Sequence, residues 1–467
     1  MVKEMCMALE TPKNVRVRFA PSPTGIMHLG NVRTALLNYL FAQKYNGTYI
    51  LRIEDTDRER DADPGAKQIL KHLAWLGIRH NEGPYFQSQR TQIYQEKLEM
   101  LRQKNCVYRC FCTQEELEKK RERQVALKKP PRYDRTCMQL SQEEIQRKLD
   151  AHTPFIWRFR LDHDENVRFN DLAHGALSFD LANFSDTPLT RQDGSVTFIF
   201  ANAVDDMLME ISHVLRGDDH LTNTVTQIAL YHALGYPIPI FWHLPILCNV
   251  DGKKLSKRDF GFSLNDLQDA GFLPQAIVNY LAIIGGSSTE EILPLSQLIN
   301  TIHERPASTS HIKYDVEKLR WVNHRWVEKI SSEELIDACK PWLMQAYDLS
   351  KIAPDILVAL IELVRSDLVT LKDVIPATQF YFQRPTGVTL GANIAAITVP
   401  ALNLIEQPTM FTEAIKKSAK QAKIPLSNVL PAIRNALTGS PTGPHVIGII
   451  EVLGSQEARL RLAKAIG

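Results

Sequence analysis

The stretch RFAPSPTGIMHLGN, residues 18–31, joins an alternating apolar segment to a long helical pattern and decides the fold. Just before it, NVRVRFA places its apolar side chains on one face of a strand. After it, NVRTALLNYLFAQKY has apolar residues at helical spacing, and Asn46-Gly47 ends that helix with residues suited to left-handed backbone. TYILRIED is the next strand. This order predicts a right-handed parallel crossover, the first unit of a doubly wound α/β sheet.

Composition limits the class of protein. A chain of 467 residues exceeds what one hydrophobic core serves, so several domains are expected. The formal net charge of +2 excludes nucleic-acid binding through bulk charge and leaves only local basic patches. No apolar run approaches the ~20 residues of a membrane span, and the N-terminal apolar segment is too short for a secretory signal. Seven scattered cysteines favour a reducing compartment, so a cytoplasmic enzyme without membrane contact is expected.

The remaining chain falls into segments whose residue patterns predict different secondary structures. Residues 64–104 indicate two helices joined by the turn-rich segment RHNEGPYFQS. From residue 107 onward, short alternating segments, clustered cysteines and a basic helix predict an inserted β-rich domain. Parallel-sheet texture returns at SVTFIFANAVDD and continues to the loop NVDGKKLSKRDFG. Beyond residue 262 the pattern is mainly helical to the end.

Two polar features lie where a phosphate could bind. His28 and Gly30 stand between a strand and a helix, where free N–H groups and the helix dipole favour anions. His28 can donate a hydrogen bond to a phosphoryl oxygen, although a simple helix cap with a turn glycine has the same pattern. The loop DGKKLSKRDFG crowds four cations that a polyphosphate would neutralise, and a solvated basic turn is the alternative. Those cations are Lys253, Lys254, Lys257 and Arg258.

Taken together, the motifs resemble a known family. HLGN and KKLSKR are similar to the HIGH and KMSKS motifs of class I aminoacyl-tRNA synthetases. Five longer segments resemble glutamyl-tRNA synthetases in the same order along the chain: RFAPSPTGIMHLGNVRTALLNYLFA, LRIEDTDRER, NEGPYFQSQ, VLRGDDHLTNT and RNALTGSPTGPHVIGIIEVLG. The resemblance spans essentially the whole chain.

The resemblance implies an architecture. It consists of a Rossmann-type parallel-sheet catalytic domain, split by an α+β insert and followed by an all-helical anticodon-binding region. The implied boundaries are 1–95 for the first catalytic half, 96–195 for the inserted domain that binds the tRNA acceptor end, 196–260 for the second catalytic half with the KMSKS-like loop, 261–330 for a stem-contact helical domain and 331–467 for the anticodon-binding domain.

The same resemblance implies a function. The chain is expected to be a glutamate–tRNA ligase that forms glutamyl-adenylate from L-glutamate and ATP with Mg²⁺, releases pyrophosphate, and transfers glutamate to tRNA(Glu) with release of AMP. Relatives usually need bound tRNA for the first step, and the family default is a monomer. Two alternatives stay open at this stage: a non-discriminating form that also charges tRNA(Gln), and an inactive tRNA-binding paralogue. Glutaminyl-tRNA synthetase fits less well, because its C-terminal part is a β-barrel.

Matching the motifs position by position implies the site residues. The ATP-binding positions are His28, Gly30, Asp219, Lys254, Ser256 and Lys257, of which His28, Lys254 and Lys257 are the expected catalytic residues. The glutamate-binding positions are Arg18, Ala20, Ser22, Glu54, Phe198, Asn202 and Arg216. Arg18 would hold the side-chain carboxylate and Glu54 the ammonium, although an internal Arg18–Glu54 salt bridge is the structural alternative. Phe198 departs from the family, in which many members have a tyrosine whose hydroxyl would contact the substrate.

The insert carries two further candidate sites. Cys110, Cys112 and Cys137 offer the thiolates of a structural Zn²⁺ site, with Tyr133 or a water as the fourth ligand, and free thiols are the alternative. The family's zinc sites use a similar C-x-C pair, a distal cysteine and a histidine or tyrosine. A basic helix and its end offer Lys128, Lys129 and Arg132 as contacts for tRNA phosphates, where a solvated helix is the plain interpretation.

Overall fold

A computed structural model describes residues 14–23, 25–57, 63, 66–256, 258–285, 290–302 and 310–467. The chain up to Leu264 forms one compact unit together with Val278–Asp315, and Asn265–Ile277 with Val316–Gly467 forms another.

The strands of the described ranges are β1 Arg16–Phe19, β2 Thr48–Ile53, β3 Glu82–Phe86, β4 Val107–Cys110, β5 Ile156–Phe159, β6 Asn166–Asp171, β7 Gly175–Asp180, β8 His213–Gly217, β9 Ile240–Leu244, β10 Leu247–Cys248 and β11 Ile312–Lys313. The α-helices are α1 Leu29–Lys44, α2 Lys67–Trp75, α3 Thr91–Gln103, α4 Gln114–Ala126, α5 Gln142–Asp150, α6 Phe198–Leu208, α7 Leu221–Leu234, α8 Leu264–Asp269, α9 Pro274–Ile283, α10 Leu295–Leu298, α11 Val316–Lys329, α12 Ser332–Ala346, α13 Pro354–Val364, α14 Val374–Phe382, α15 Ala392–Ala401, α16 Pro408–Gln421, α17 Leu426–Thr438, α18 Val446–Leu453 and α19 Ser455–Ile466.

The predicted crossover is confirmed. β1 and β2 pair in parallel, with Arg18 opposite Ile50, and α1 connects them. After the helix, Asn46 has the left-handed backbone angle φ 49° that the Asn-Gly signal predicts. The side chains of β2 from Tyr49 to Ile53 are all buried, as expected for a strand covered on both faces.

The segment RHNEGPYFQS was wrongly interpreted as a turn, since it contains β3. This strand pairs in parallel with β2 at the end of a three-stranded sheet, with Tyr85 opposite Arg52. Its side chains alternate between half-buried and exposed. Gly83 and Pro84 have the composition of a turn, but an edge strand tolerates proline because one side of its backbone has no strand partner.

A second sheet has the strand order β7-β6-β9-β8. β8 and β9 are parallel, whereas β6 and β7 form an antiparallel hairpin that belongs to the insert by sequence. The backbone N–H of Ser212 donates to the carbonyl of Arg16 over 3.0 Å, so β8 begins beside β1. The ends of β1, β2 and β8 therefore carry side chains into one region of the first unit.

SVTFIFANAVDD, expected to have parallel-sheet texture, forms helix α6 instead. Phe200, Val204 and Met207 recur at helical spacing and are buried in the core of the unit. A short apolar run of this kind does not distinguish a buried strand from a buried helix, which explains the error. The helix places two consecutive carboxylates, Asp205 and Asp206, inside the fold.

The second unit is helical, as the sequence predicts. Residues 316–467, all of which the structure describes, contain α-helices, short 3₁₀ turns and loops but no strand. No helix in the described ranges combines the length and the apolar character needed to cross a membrane. The observed architecture, a parallel-sheet catalytic part followed by a helical region, confirms the predicted fold class.

Candidate active site

His28 is the N-cap of α1. Its Nδ1 accepts a hydrogen bond from the backbone N–H of Asn31 at 3.2 Å, and the Asn31 side chain accepts from the backbone N–H of His28. Because Nδ1 is an acceptor, the neutral ring carries its proton on Nε2. A Cβ at Gly30 would lie 3.0 Å from two atoms of this ring. Glycine therefore lets the imidazole fold over the first turn of the helix.

The environment of His28 keeps the imidazole neutral. Burial lowers its pKa, the charge of Lys254 lowers it further, and Asp219 acts in the opposite direction. The ring also stacks on Phe262, with 5.2 Å between the ring centroids. The Nε2–H group is thus a fixed, uncharged donor at the beginning of a helix, a position that favours anions.

The lysine loop lies close to this histidine in the same unit. The Lys254 ammonium is 2.8 Å from a carboxylate oxygen of Asp219, which follows β8. Ser256 is exposed, and its backbone N–H and its hydroxyl both donate to Asp259. Lys257 lies outside the described residues. Asp219 therefore supplies a counter-charge to Lys254.

Arg18 extends from β1 into the interior and is 3% exposed. Its Nε donates to both carboxylate oxygens of Asp206 at 3.1 and 3.2 Å, and its Nη1 donates to the carbonyl of Leu215. The structural alternative of an Arg18–Glu54 salt bridge is wrong, since Asp206 is the partner.

Glu54 has a different set of partners. Asn202 donates to its Oε1 at 2.5 Å, and Arg52 lies 3.4 Å from the same oxygen. Gln227 in turn donates to the Asn202 side chain. Burial raises the pKa of Glu54, whereas Arg52 and Asn202 oppose that rise. Within the described chain, no hydrogen bond engages the second oxygen, Oε2, which leaves an acceptor for a ligand cation.

Arg216 is a buried cation with neutral partners. It is 6% exposed, and no carboxylate lies within ion-pair distance of it among the described residues. Its Nη2 donates to Thr224 Oγ1 at 2.6 Å and to the carbonyl of His220 at 3.5 Å, and its Nε donates to His243 Nε2 at 3.4 Å. Burial, together with the charge of Arg18, lowers the pKa of Arg216 to about 9. A guanidinium in this state is costly unless an anion binds to it.

The structure gives the exposure of the other residues that were predicted for the pocket. The Phe198 ring is half-buried and 5.5 Å from the ring of His220. Ala20 is half-buried and Ser22 is exposed in the turn that follows β1. The structure thus joins Arg18 to Glu54 indirectly, through Asp206 and Arg52.

Comparison with known proteins gives the family. Residues 14–321 match the catalytic domain of the class I tRNA synthetases (E and Q), and residues 334–466 match an anticodon binding domain. A glutamate–tRNA ligase of Bacillus licheniformis is 38% identical, with 97% of this chain and 99% of the relative covered, and one of Listeria innocua is 37% identical, with 96% and 98% covered. The chain belongs to the glutamate–tRNA ligase family of class I tRNA synthetases.

A solved structure agrees with this membership. The crystal structure of a glutamate tRNA ligase from Elizabethkingia meningosepticum, in complex with its amino acid, has a TM-score of 0.87 and 30% identity, and the match covers 97% of this synthetase and 99% of that chain. The resemblance to glutamyl-tRNA synthetases is therefore confirmed over the length of the chain.

The insert of this synthetase gathers the four predicted metal ligands. The sulfur atoms of Cys110, Cys112 and Cys137 all lie within 4.8 Å of one another. The Tyr133 hydroxyl is 3.3 Å from Cys110 Sγ and 3.7 Å from Cys112 Sγ. The three thiols supply the sulfur donors of a structural Zn²⁺ site, and the Tyr133 phenol is the neighbouring group that could act as a fourth ligand.

The basic residues of the insert do not share one environment. Lys128 and Lys129 are exposed at the end of α4. Arg132, in contrast, donates to the carbonyl of Ala182 and to the Asn183 side chain at 3.1 Å. Its guanidinium therefore also ties the basic segment to the body of the insert.

Sequence reasoning missed several residues that hold the pocket of this synthetase. Arg52 is fully buried between Asp206, 2.7 Å away, and Glu54. Asp205 accepts from Arg90 at 2.7 Å and from Tyr94 at 2.8 Å. The signal was present, since charged residues inside otherwise apolar segments such as YILRIED and FANAVDD need buried partners.

Proposed function

We propose that this chain is a glutamate–tRNA ligase that activates L-glutamate with ATP and transfers it to tRNA(Glu). The observation that carries the proposal is the buried Arg216 guanidinium, which has only neutral hydrogen-bond partners. A substrate carboxylate would supply the missing anion, and planar guanidinium binds carboxylate in bidentate geometry. The neutral amide of glutamine would leave the cation without a counter-charge, so the pocket favours glutamate.

The remaining groups orient the amino acid. Arg18 lies beside Arg216, close enough to lower its pKa, and can share the side-chain carboxylate. The Oε2 atom of Glu54 is the acceptor for the substrate ammonium, while Asn202 and Arg52 hold the other oxygen. Phe198 packs against the ring of His220 and has no hydroxyl to hydrogen-bond the substrate. The α-carboxylate is thereby left free to react.

The reaction then needs positioning and electrostatic stabilisation. A glutamate α-carboxylate oxygen forms a bond to the α-phosphorus of ATP, and pyrophosphate leaves with the electron pair of the broken P–O bond. The neutral His28 Nε2–H and the Lys254 ammonium bind phosphoryl oxygens, on which negative charge grows. Lys257 has the same assigned role, and ATP enters as its Mg²⁺ complex.

The second step transfers the amino acid. The terminal adenosine hydroxyl of the tRNA attacks the carbonyl carbon of the adenylate, loses its proton, and AMP leaves. Lys128, Lys129 and Arg132 of the insert are proposed contacts for acceptor-end phosphates. The helical residues 334–466, which match an anticodon binding domain, would hold the opposite end of the tRNA. A monomer in the cytoplasm suffices for this scheme.

Aminoacylation of purified tRNAs tests the proposal. Glutamate should be attached to tRNA(Glu), glutamine to neither tRNA, and ATP–pyrophosphate exchange should depend on added tRNA(Glu). Charging of tRNA(Gln) with glutamate would identify the non-discriminating form. Absence of charging with every pair, while tRNA still binds, would show an inactive paralogue and overturn the proposal.

A structural Zn²⁺ is proposed for the insert, where it would be held by Cys110, Cys112, Cys137 and Tyr133 and would fix the base of the β4–β5 pair. We expect the purified protein to contain about one zinc per chain by elemental analysis. Cys112→Ser should lower the zinc content and reduce the melting temperature, because the Zn²⁺ site loses one ligand. Cys339→Ser is the matched control, since this buried cysteine lies in α12, and should leave the zinc content unchanged. Zinc-free wild-type protein with unreacted thiols would contradict the proposed site.

A further inference from the structure

A chain of buried polar contacts connects Arg216 to the β6–β7 hairpin. Asp171, the last residue of β6, is 3% exposed. Its Oδ2 accepts from the backbone N–H of His243 at 3.1 Å and lies 2.7 Å from His243 Nδ1. Its Oδ1 accepts from the backbone N–H groups of Ala173 and His174 at 2.8 and 3.0 Å. Four donors therefore fix this carboxylate in one orientation.

The carboxylate determines which nitrogen of His243 carries the proton. Because Nδ1 faces Asp171, the proton lies on Nδ1 and Nε2 is left as an acceptor. Nε2 is 2.9 Å from the Thr224 hydroxyl and 3.4 Å from the Arg216 Nε. Burial, together with the charge of Arg216, lowers the pKa of His243 against the opposing effect of Asp171, which favours the neutral ring. A protonated ring would instead point an N–H at the guanidinium and repel it.

Strand β9 also supports Arg216 through an aromatic ring. The Phe241 ring lies 5.6 Å from the Arg216 guanidinium carbon. It also stacks on His243, with 6.0 Å between centroids and an angle of 11° between the planes. Phe169 of β6 contacts the other side of the cluster, 5.7 Å from Phe241. β6 therefore supports Arg216 only indirectly, because Asp171 acts through His243 and Phe169 through Phe241, both of which lie on β9.

We propose that Asp171 and His243 are positioning residues for amino-acid activation. The carboxylate sets the imidazole tautomer, and the Nε2 lone pair together with the Thr224 hydroxyl holds the Arg216 guanidinium towards the substrate. Neutral acceptors suit this task, because a carboxylate in direct contact with Arg216 would compete with the ligand for its charge. The inference rests on the proposed role of Arg216 in binding the substrate carboxylate.

Kinetics of Asp171→Asn test the positioning role. The single carbonyl oxygen of an asparagine amide cannot accept both from His243 and from the backbone N–H groups of Ala173 and His174. His243 therefore either changes tautomer or loses its hydrogen bond to residue 171. We expect the glutamate KM in tRNA-dependent ATP–pyrophosphate exchange to rise about tenfold, while the KM for ATP changes less than about twofold. Asp186→Asn is the matched control. That carboxylate is equally buried and binds Tyr108, Arg135 and Leu161 in the insert, away from the pocket.

The ratio of the glutamate KM to the ATP KM distinguishes a residue that positions Arg216 from one that only stabilises the fold. Asp186→Asn should lower the melting temperature without changing the ratio. An equal rise of both KM values in Asp171→Asn would overturn the proposal, because a purely structural residue acts in that way.

A second measurement needs no change at position 171. Nitrogen-15 NMR of histidine-labelled wild-type protein, with the His243 signals assigned by His243→Gln, should show a neutral ring protonated at Nδ1. A ring protonated at Nε2 would overturn the proposal even if Asp171→Asn fails to fold. If wild-type protein activates no glutamate, the proposed function is wrong. The NMR measurement is independent of activity and still shows whether Asp171 keeps the proton of His243 on Nδ1 and leaves Nε2 free to accept from Arg216.

Discussion

Arg216→Met should raise the glutamate KM about 10²- to 10³-fold in ATP–pyrophosphate exchange and leave the KM for ATP within about threefold of wild type. The substitution keeps the length of the side chain and removes its charge. A bidentate pair with a carboxylate is two charge-assisted hydrogen bonds, each of which contributes about 1.5–3 kcal/mol. A loss of about 3–4 kcal/mol corresponds to the expected change, because about 1.4 kcal/mol equals a factor of ten.

Arg16→Met is the matched control for this prediction. Arg16 lies on the same strand as Arg18, but its guanidinium already pairs with Glu82 in bidentate geometry at 2.9 and 3.1 Å. Its removal should reduce stability and leave both KM values nearly unchanged. If Arg216→Met raised the two KM values by the same factor, or neither of them, the carboxylate-binding role of Arg216 would be wrong.

The fold was predictable where local signals agree with the tertiary structure. β1, α1 and β2 follow from alternation, helical spacing and the Asn46 turn, and the structure confirms them. β3 and α6 were missed for opposite reasons. β3 is an edge strand whose Gly-Pro pair imitates a turn, and α6 is so buried that its helical period is hidden in an apolar run.

The sequence indicates candidate site residues, whose roles are proposals, but it does not indicate the contacts between them. The motifs indicate Arg18, Glu54 and Arg216, all of which the structure places in the interior. They do not reveal that Asp206 is bound by Arg18 and Arg52 together, since that contact joins residues 154 and 188 positions apart. Nor does the sequence show that Arg216 has only neutral partners. Ion pairing between distant segments depends on how the strands and helices assemble, and this information is not local.

Lys254→Ala should lower turnover about 10²-fold or more, while binding of tRNA(Glu) measured on filters stays within about twofold of wild type. In the proposed mechanism the ammonium binds phosphoryl oxygens on which negative charge grows, and the loss of one such donor costs roughly 10²- to 10³-fold in turnover. In the free enzyme Asp219 holds this lysine at 2.8 Å, and ATP phosphates would replace that carboxylate as its partner. Lys254 gives up its ion pair with Asp219 when it binds phosphate, so its contact with ATP adds little to ground-state binding. The loss of Lys254 should therefore lower kcat more than it raises the KM for ATP.

Lys253→Ala is the control for the lysine loop. Lys253 is the neighbouring residue in the same basic loop, is exposed, and contributes its backbone N–H to the Asn249 side chain, a bond that alanine retains. Its replacement removes the same charge from the same segment, so a purely long-range electrostatic effect would slow both variants alike. A large loss in Lys254→Ala with a small one in Lys253→Ala locates the effect at the Lys254 ammonium, whose charge also acts on His28. Equal losses, or unchanged turnover in Lys254→Ala, would remove direct phosphate contact by Lys254 from the mechanism.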